Sequence, residues 1–175
     1  MLKQLFKGIT YRAHHPKWSF NPQSGEGAKI HGGRFNRLGQ PALYLSLDPT
    51  TAWMEAQQCF PFKPQPMILV AYEISCVDIV DLTDARTLAK LDASVLDLGC
   101  AWEDLANQKI DPPSWKLVDK LMALQASGIL VPSFAFGCGD ENKNLVLWNG
   151  SSSQSNVIKV IDDFGRLPKS GLSWD

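Results

Sequence analysis

Pro41-Ala42-Leu43-Tyr44-Leu45-Ser46-Leu47-Asp48-Pro49, running on into Thr50-Thr51-Ala52-Trp53-Met54-Glu55-Ala56, reads as a strand that hands over to a helix. Leu43, Leu45 and Leu47 alternate with Ala42, Tyr44 and Ser46, so one face of residues 42–47 is aliphatic and the other carries a phenol and a hydroxyl. Asp48 then supplies a capping carboxylate, and Pro49 suits the first helical position, where no N–H is needed. A helix is expected from there to about Cys59. Pro61, Pro64 and Pro66 end it as a stiff connector.

Outward from this unit, alternation predicts a first strand over residues 9–13. A long loop bearing glycine and histidine is expected over residues 16–33; loops of that length inside a domain usually carry function or disorder. Residues 67–75 read as a buried central strand and 78–82 as a short one. The stretch 84–127 is helical in pattern, with Pro112 and Pro113 opening its last helix and Gly128 ending it. Residues 128–131 form a strand leading into Pro132-Ser133, and 144–148 and 156–162 are strands as well. Strands at both ends with helices between them predict an α+β fold around a bent mixed β-sheet. Regular βαβ alternation is missing, which excludes a doubly wound parallel sheet. The expected organisation is a single domain over 1–164 with a C-terminal tail, 165–175.

Bulk properties narrow the function. The 175 residues are 45% hydrophobic and 20% charged, ordinary for a globular domain, and the net charge is -1. That leaves no electrostatic footprint for direct nucleic-acid binding or for coating a membrane. The N-terminus lacks an apolar core and a small-residue cleavage site, so it is not read as a signal peptide. Cys59, Cys76, Cys100 and Cys138 are scattered without a Cys-x-x-Cys pair, and His14, His15 and His31 lack metal-site spacing. A reducing cytoplasm and no metal are therefore expected. Gly25 and Gly27 do not make a dinucleotide fingerprint, and neither a phosphate loop nor a serine nucleophile elbow occurs. Of the six tryptophans, Trp53, Trp102, Trp115 and Trp148 fall at expected core positions.

One constellation remains. His31-Gly32-Gly33-Arg34-Phe35-Asn36 precedes the strand carrying Tyr44 and the helix carrying Glu55; Arg12 lies on the first strand, Ser133 in a late loop, and Asn144 opens the late Asn144-Leu145-Val146-Leu147-Trp148 segment. This order of arginine, tyrosine, glutamate and serine resembles the RES domain, over about residues 9–161. The resemblance implies a core similar to that of the diphtheria-toxin-like ADP-ribosyltransferases. It also implies a toxin that degrades NAD⁺ by hydrolysis or phosphorolysis, with NAD⁺ as substrate and no cofactor. The implied partner is an Xre-type helix-turn-helix antitoxin, in a complex that admits a toxin homodimer. Implied catalytic residues are Arg34, Tyr44, Glu55 and Ser133; implied NAD⁺ contacts are Arg12, Gly33, Arg34, Tyr44 and Asn144.

The chemistry suits such a set. Cleaving the nicotinamide–ribose bond releases a neutral leaving group from a cationic ring, so no acid need protonate it, unlike ordinary glycoside hydrolysis. The reaction needs one negative charge beside the developing oxocarbenium ion and a clamp on the pyrophosphate. Glu55 would supply the charge, although position alone favours a solvent-facing helix glutamate. Arg34 and Arg12 would hold the pyrophosphate, against the equal alternative of a surface or ion-paired arginine. Gly32 and Gly33 would admit a ligand to the backbone, or simply make a turn. Tyr44 would stack on nicotinamide or order the ribose, where packing is the commoner role of a strand tyrosine. Ser133 would hydrogen-bond substrate rather than act as a nucleophile, since no base is evident near it. Two other readings use the same residues: transfer of ADP-ribose to a protein, and a non-catalytic domain that binds a nucleotide or a partner.

Overall fold

The computed structural model describes residues 2–57, 64–148 and 156–174. Strand β1 (Lys3–His14) leads through a 3-10 turn (Pro16–Trp18) and helix α1 (Glu26–His31) to β2 (Leu43–Ser46) and α2 (Pro49–Ala56). After β3 (Ile68–Asp81) come α3 (Ala85–Lys90), α4 (Val95–Leu98), α5 (Trp102–Asn107) and α6 (Pro113–Ala123). Strands β4 (Gly128–Pro132), β5 (Lys143–Leu147) and β6 (Val157–Ile161) follow.

The strands are bonded in the order β1-β2-β5-β4-β3-β6, and β1 also pairs with β3. Five of them therefore close into a ring, with β6 on the outside of β3. Only β3 and β4 run parallel; every other pairing is antiparallel. The mixed, strongly bent sheet expected from the sequence is thus closed on itself, and helices cover part of it.

Alternation decides what each face does. Leu43 and Leu45 of β2 face Leu147 and Leu145 of β5, and with Val70, Tyr72 and Ile74 of β3 they fill the interior of the ring. The alternate residues Val146 and Ile129 face outward and pack with Leu88, Leu98, Val118 and Leu121 beneath the helices. Tyr44 and Ser46, next to Val146 and Asn144 in register, belong to this outer face.

Where the structure differs from expectation, local chemistry explains it. Strand β3 is one element, not two. Its pairing with β1 slips by one residue between Gln4–Ile79 and Phe6–Cys76, and Asp78 takes φ +61°, a conformation that aspartate tolerates. That bulge lets one side of β3 change partner, from β6 at residues 71–75 to β4 at 79–81. Within the expected loop 16–33 lies α1, which begins at Gly25 without a side-chain cap and has no buried residue, so it gave no amphipathic signal. Helix α2 ends at Ala56; the expected Cys59 end and Pro61 lie outside the described residues. Helix α6 stops at Ala123, and Gln125, at φ +58°, turns the chain. Gly128 instead starts β4, where a Cβ would fall onto the carbonyl oxygen of Val146. Past Phe164, the Asp162 carboxylate accepts hydrogen bonds from the N–H groups of Arg166 and Leu167 (2.7 and 3.1 Å), and Leu167 packs against the ring.

Candidate active site

The helix that carries Glu55 is set by its cap. Asp48 Oδ1 accepts from Thr51 N–H at 2.8 Å, and Asn142 Nδ2 donates to Thr51 Oγ1 at 2.6 Å, tying the helix to the loop before β5. Two turns on, Glu55 Oε1 accepts from Ser133 Oγ (2.6 Å) and from Asn144 Nδ2 (2.5 Å). Asn144 is held in turn by Ser46, whose hydroxyl donates to Asn144 Oδ1 at 2.7 Å. Ser46 and Asn144 are register partners on adjacent strands, and Val131, two residues before Ser133, is the next partner along. A row across β2, β5 and the end of β4 thus presents three side chains that fix one carboxylate. Two charge-assisted hydrogen bonds to a single oxygen leave it little rotational freedom.

The glycine-rich segment is pinned just as firmly. Gly33 and Asn36 form an isolated bridge. The indole of Trp115 donates to Gly33 O (2.8 Å) and that of Trp148 to Phe35 O (2.7 Å). The Tyr44 hydroxyl accepts from Phe35 N–H (3.0 Å) and donates to Asn36 Oδ1 (2.7 Å). Burial raises the Tyr44 pKa, so it keeps the proton that this second bond requires. A Cβ on Gly33 would stand 2.6 Å from both Tyr44 Oη and Asn36 Oδ1. The glycine is required by the packing of Tyr44, whatever a ligand demands.

Arg34 leaves this segment with Nη1 donating to the carbonyls of Leu98 (3.3 Å) and Cys100 (2.5 Å) and its guanidinium 4.9 Å from the Phe134 ring centre. Arg12, on β1, donates to Ser24 O at 3.0 Å. Desolvation lowers both pKa values from the ordinary arginine value, and a guanidinium remains charged under such burial.

These groups line a cleft of three adjoining lobes that share lining residues. A middle lobe of about 230 Å³ lies among Tyr11, Arg12, Tyr44, Ser46, Ala52, Glu55 and Asn144. An inner lobe of about 170 Å³ shares Tyr44, Glu55 and Asn144 with it and adds Gly33, Arg34, Phe35, Trp102 and Phe134. An outer lobe of about 500 Å³ joins the middle one at Arg12 and Ala13. Glu55 stands at the waist between the inner and middle lobes.

All seven residues singled out in the sequence therefore meet: Arg12, Gly33, Arg34, Tyr44, Glu55 and Asn144 line the cleft, and Ser133 bonds Glu55. Ser133 Oγ donates to Glu55, and the two arginines line different lobes, Arg12 the middle and outer ones and Arg34 the inner one. Ser46, Asn36 and Phe134 were not foreseen. The first could have been read from its place two residues after Tyr44; the others take part only through tertiary contacts. Trp102, expected in the core, lines the inner lobe.

The RES domain family model matches residues 9–169 of the chain. The protein belongs to the RES domain family. A relative within reach is the protein named Toxin Res of Photorhabdus laumondii, 27% identical over 109 residues that make up 57% of this chain and 68% of that one. The RES fold seen here is also similar to that in the crystal structure of the M. tuberculosis MbcT-MbcA toxin-antitoxin complex. That match has a TM-score of 0.64 and 21% identity, and covers 91% of this chain and 84% of the other.

Among the described residues of this RES domain, no group of three or more histidine, cysteine, aspartate or glutamate side chains could hold a metal ion. Nor is any helix there long and apolar enough to cross a membrane.

Proposed function

We propose that this protein is the toxin of a type II toxin–antitoxin system and that it destroys cytoplasmic NAD⁺ by cleaving the nicotinamide–ribose bond. The closed, bent sheet is then a core of the ADP-ribosyltransferase kind. The observation that carries the reading is the Glu55 carboxylate, held by Ser133 and Asn144 where the inner and middle lobes meet, with Arg34 lining the first lobe and Arg12 the second.

In this reading the scissile bond lies at the waist. Nicotinamide enters the inner lobe against Phe35, Tyr44, Trp102 and Phe134, and the pyrophosphate reaches Arg12 from the middle lobe. The C1–N bond breaks with its electron pair going to the ring nitrogen, which turns a cationic pyridinium into neutral nicotinamide. Positive charge appears on the ribosyl carbon, and the fixed carboxylate of Glu55 stabilises it there. Arg34 works in the same direction: its repulsion of the cationic ring disappears as the ring becomes neutral, so it favours the transition state over the bound substrate. Water, which gives up a proton to solvent, or a phosphate oxygen then adds to the ribosyl carbon, giving ADP-ribose or its 1-phosphate.

The partner we assign is a helix-turn-helix antitoxin of the Xre type. Support comes from the similarity to a protein named as a toxin and to a structure titled as a toxin-antitoxin complex.

The test is release of nicotinamide from NAD⁺ by purified protein, followed by chromatography. Wild type should release it, while Glu55→Ala and Arg34→Ala should slow release by about a hundredfold or more, the scale for losing one preorganised electrostatic group. No release by folded wild type would overturn the assignment. An ADP-ribose adduct on lysate proteins, without free ADP-ribose or its phosphate, would reassign the cleft to protein modification.

A further inference from the structure

The outer lobe has no role in breaking the bond, yet it is the widest of the three and opens directly off Arg12. Its wall combines Trp18 and Phe20 with His15, Asn21, Glu26 and His31. Trp18 and Phe20 stand with ring centres 6.5 Å apart and planes tilted by 41°, and Trp18 is 61% exposed. An indole left this open beside a concave lobe offers a flat apolar face.

The lobe is also lined by a mostly buried histidine, His14, which is 6% exposed. The imidazole Nε2 lies 2.6 Å from Tyr72 Oη, and that hydroxyl donates its only hydrogen to Pro22 O at 2.8 Å. The proton between histidine and tyrosine must therefore sit on Nε2, which leaves a lone pair on Nδ1. No donor among the described residues meets that nitrogen. Burial, and then the charge of Arg12, hold the His14 pKa down to about 3, so Nδ1 stays an acceptor throughout the physiological range. A flat stacking face, a fixed in-plane acceptor and a cation at the entrance make a complementary set for an amino-bearing heterocycle joined to a phosphate.

We infer that the outer lobe is a nucleobase subsite: a 6-aminopurine stacks on Trp18 and donates its exocyclic amine to His14 Nδ1, while Arg12 holds the attached phosphate. The inference builds on the proposed function, because the purine half of NAD⁺ lies one pyrophosphate away from the bond at Glu55. It adds that the protein selects a dinucleotide over a mononucleotide and an amino base over an oxo base. A 6-oxopurine would place a carbonyl oxygen against the Nδ1 lone pair.

The experiment has a binding arm and a turnover arm, both using the full chain. AMP binding is measured by calorimetry for wild type, Trp18→Ala and a control, Trp53→Phe. Turnover of NAD⁺, nicotinamide mononucleotide and nicotinamide hypoxanthine dinucleotide is measured for the same proteins. Trp18→Ala, at an exposed position, should keep the wild-type melting temperature. It should weaken AMP binding about ten- to a hundredfold, the scale of one base–aromatic stack. It should raise KM for NAD⁺ similarly with little change in kcat, and leave the mononucleotide unaffected. Wild type should prefer NAD⁺ over the hypoxanthine analogue. Unchanged AMP binding in Trp18→Ala, or equal effects on NAD⁺ and the mononucleotide, would overturn the subsite. AMP binding that depends on Trp18 in a protein releasing no nicotinamide would support the subsite and overturn the cleavage reading instead.

Discussion

At the scale of single residues, two side chains with ordinary sequence contexts carry unusual constraints. Gly33 is enclosed by the Tyr44 hydroxyl and the Asn36 carboxamide. Gly33→Ala should lower stability by about 1–3 kcal/mol, the usual cost of overpacking, and nicotinamide release should fall with it because Tyr44 must move. Thermal melting and the release assay on one preparation check both. His14 predicts a pH effect. Above about pH 6.5 the imidazole is neutral in the folded and unfolded chain alike. On acidification the unfolded chain takes up its proton near 6.5, whereas the folded one waits until about 3. The unfolded state binds more protons in that window, so stability is complete above it and drains away as pH falls through it. By pH 5 this one group should cost about 2 kcal/mol relative to pH 7.5. Urea unfolding of wild type and His14→Gln at the two pH values measures it; equal pH dependence in both would contradict the buried neutral imidazole. Neither constraint was legible beforehand. Gly33 looked like a turn or ligand glycine, and His14 like one of three scattered histidines, because both are defined by Tyr44 and Tyr72 arriving from other strands.

At the scale of elements, the site is a product of strand register. Alternation at residues 42–47 was readable, and it correctly put Tyr44 and Ser46 on the face opposite the leucines. The Asp48-Pro49 cap likewise placed Glu55 on the following helix. What alternation could not supply was the partner strand, because Asn144 comes to lie between Ser46 and Val131 only once β2, β5 and β4 are paired. The same limit hid the continuity of β3, whose bulge at Asp78 imitates a break between two strands. The register makes a testable claim about Glu55. Ser133→Ala and Asn144→Ala each remove one donor to the same oxygen, and each should lower kcat about ten- to a hundredfold, the range for a hydrogen bond to a charged group. Since both act through one carboxylate, the double variant should lose less than the product of the single losses. A fully multiplicative double variant would mean that the two residues work independently of Glu55.

At the scale of the whole molecule, closing five strands into a ring buries one face of each strand and leaves the other for helices and cleft. The α+β class and the approximate strands were evident from the sequence; closure was not, since it depends on β1 pairing on both sides. The cleft follows β1 and β2 where they separate: a single pair, Tyr11–Ser46, joins them, and Tyr11, Arg12 and Ala13 line the middle lobe beside it. One cleft, three lobes and a fixed acid form the central claim, and a crystal structure of Glu55→Gln with NAD⁺ bound tests it most directly. The account predicts nicotinamide beside Arg34 and Phe134, the ribosyl carbon next to residue 55, the pyrophosphate on Arg12 and the purine against Trp18. NAD⁺ bound elsewhere, or lying in the cleft with its nicotinamide–ribose bond remote from residue 55, would contradict it.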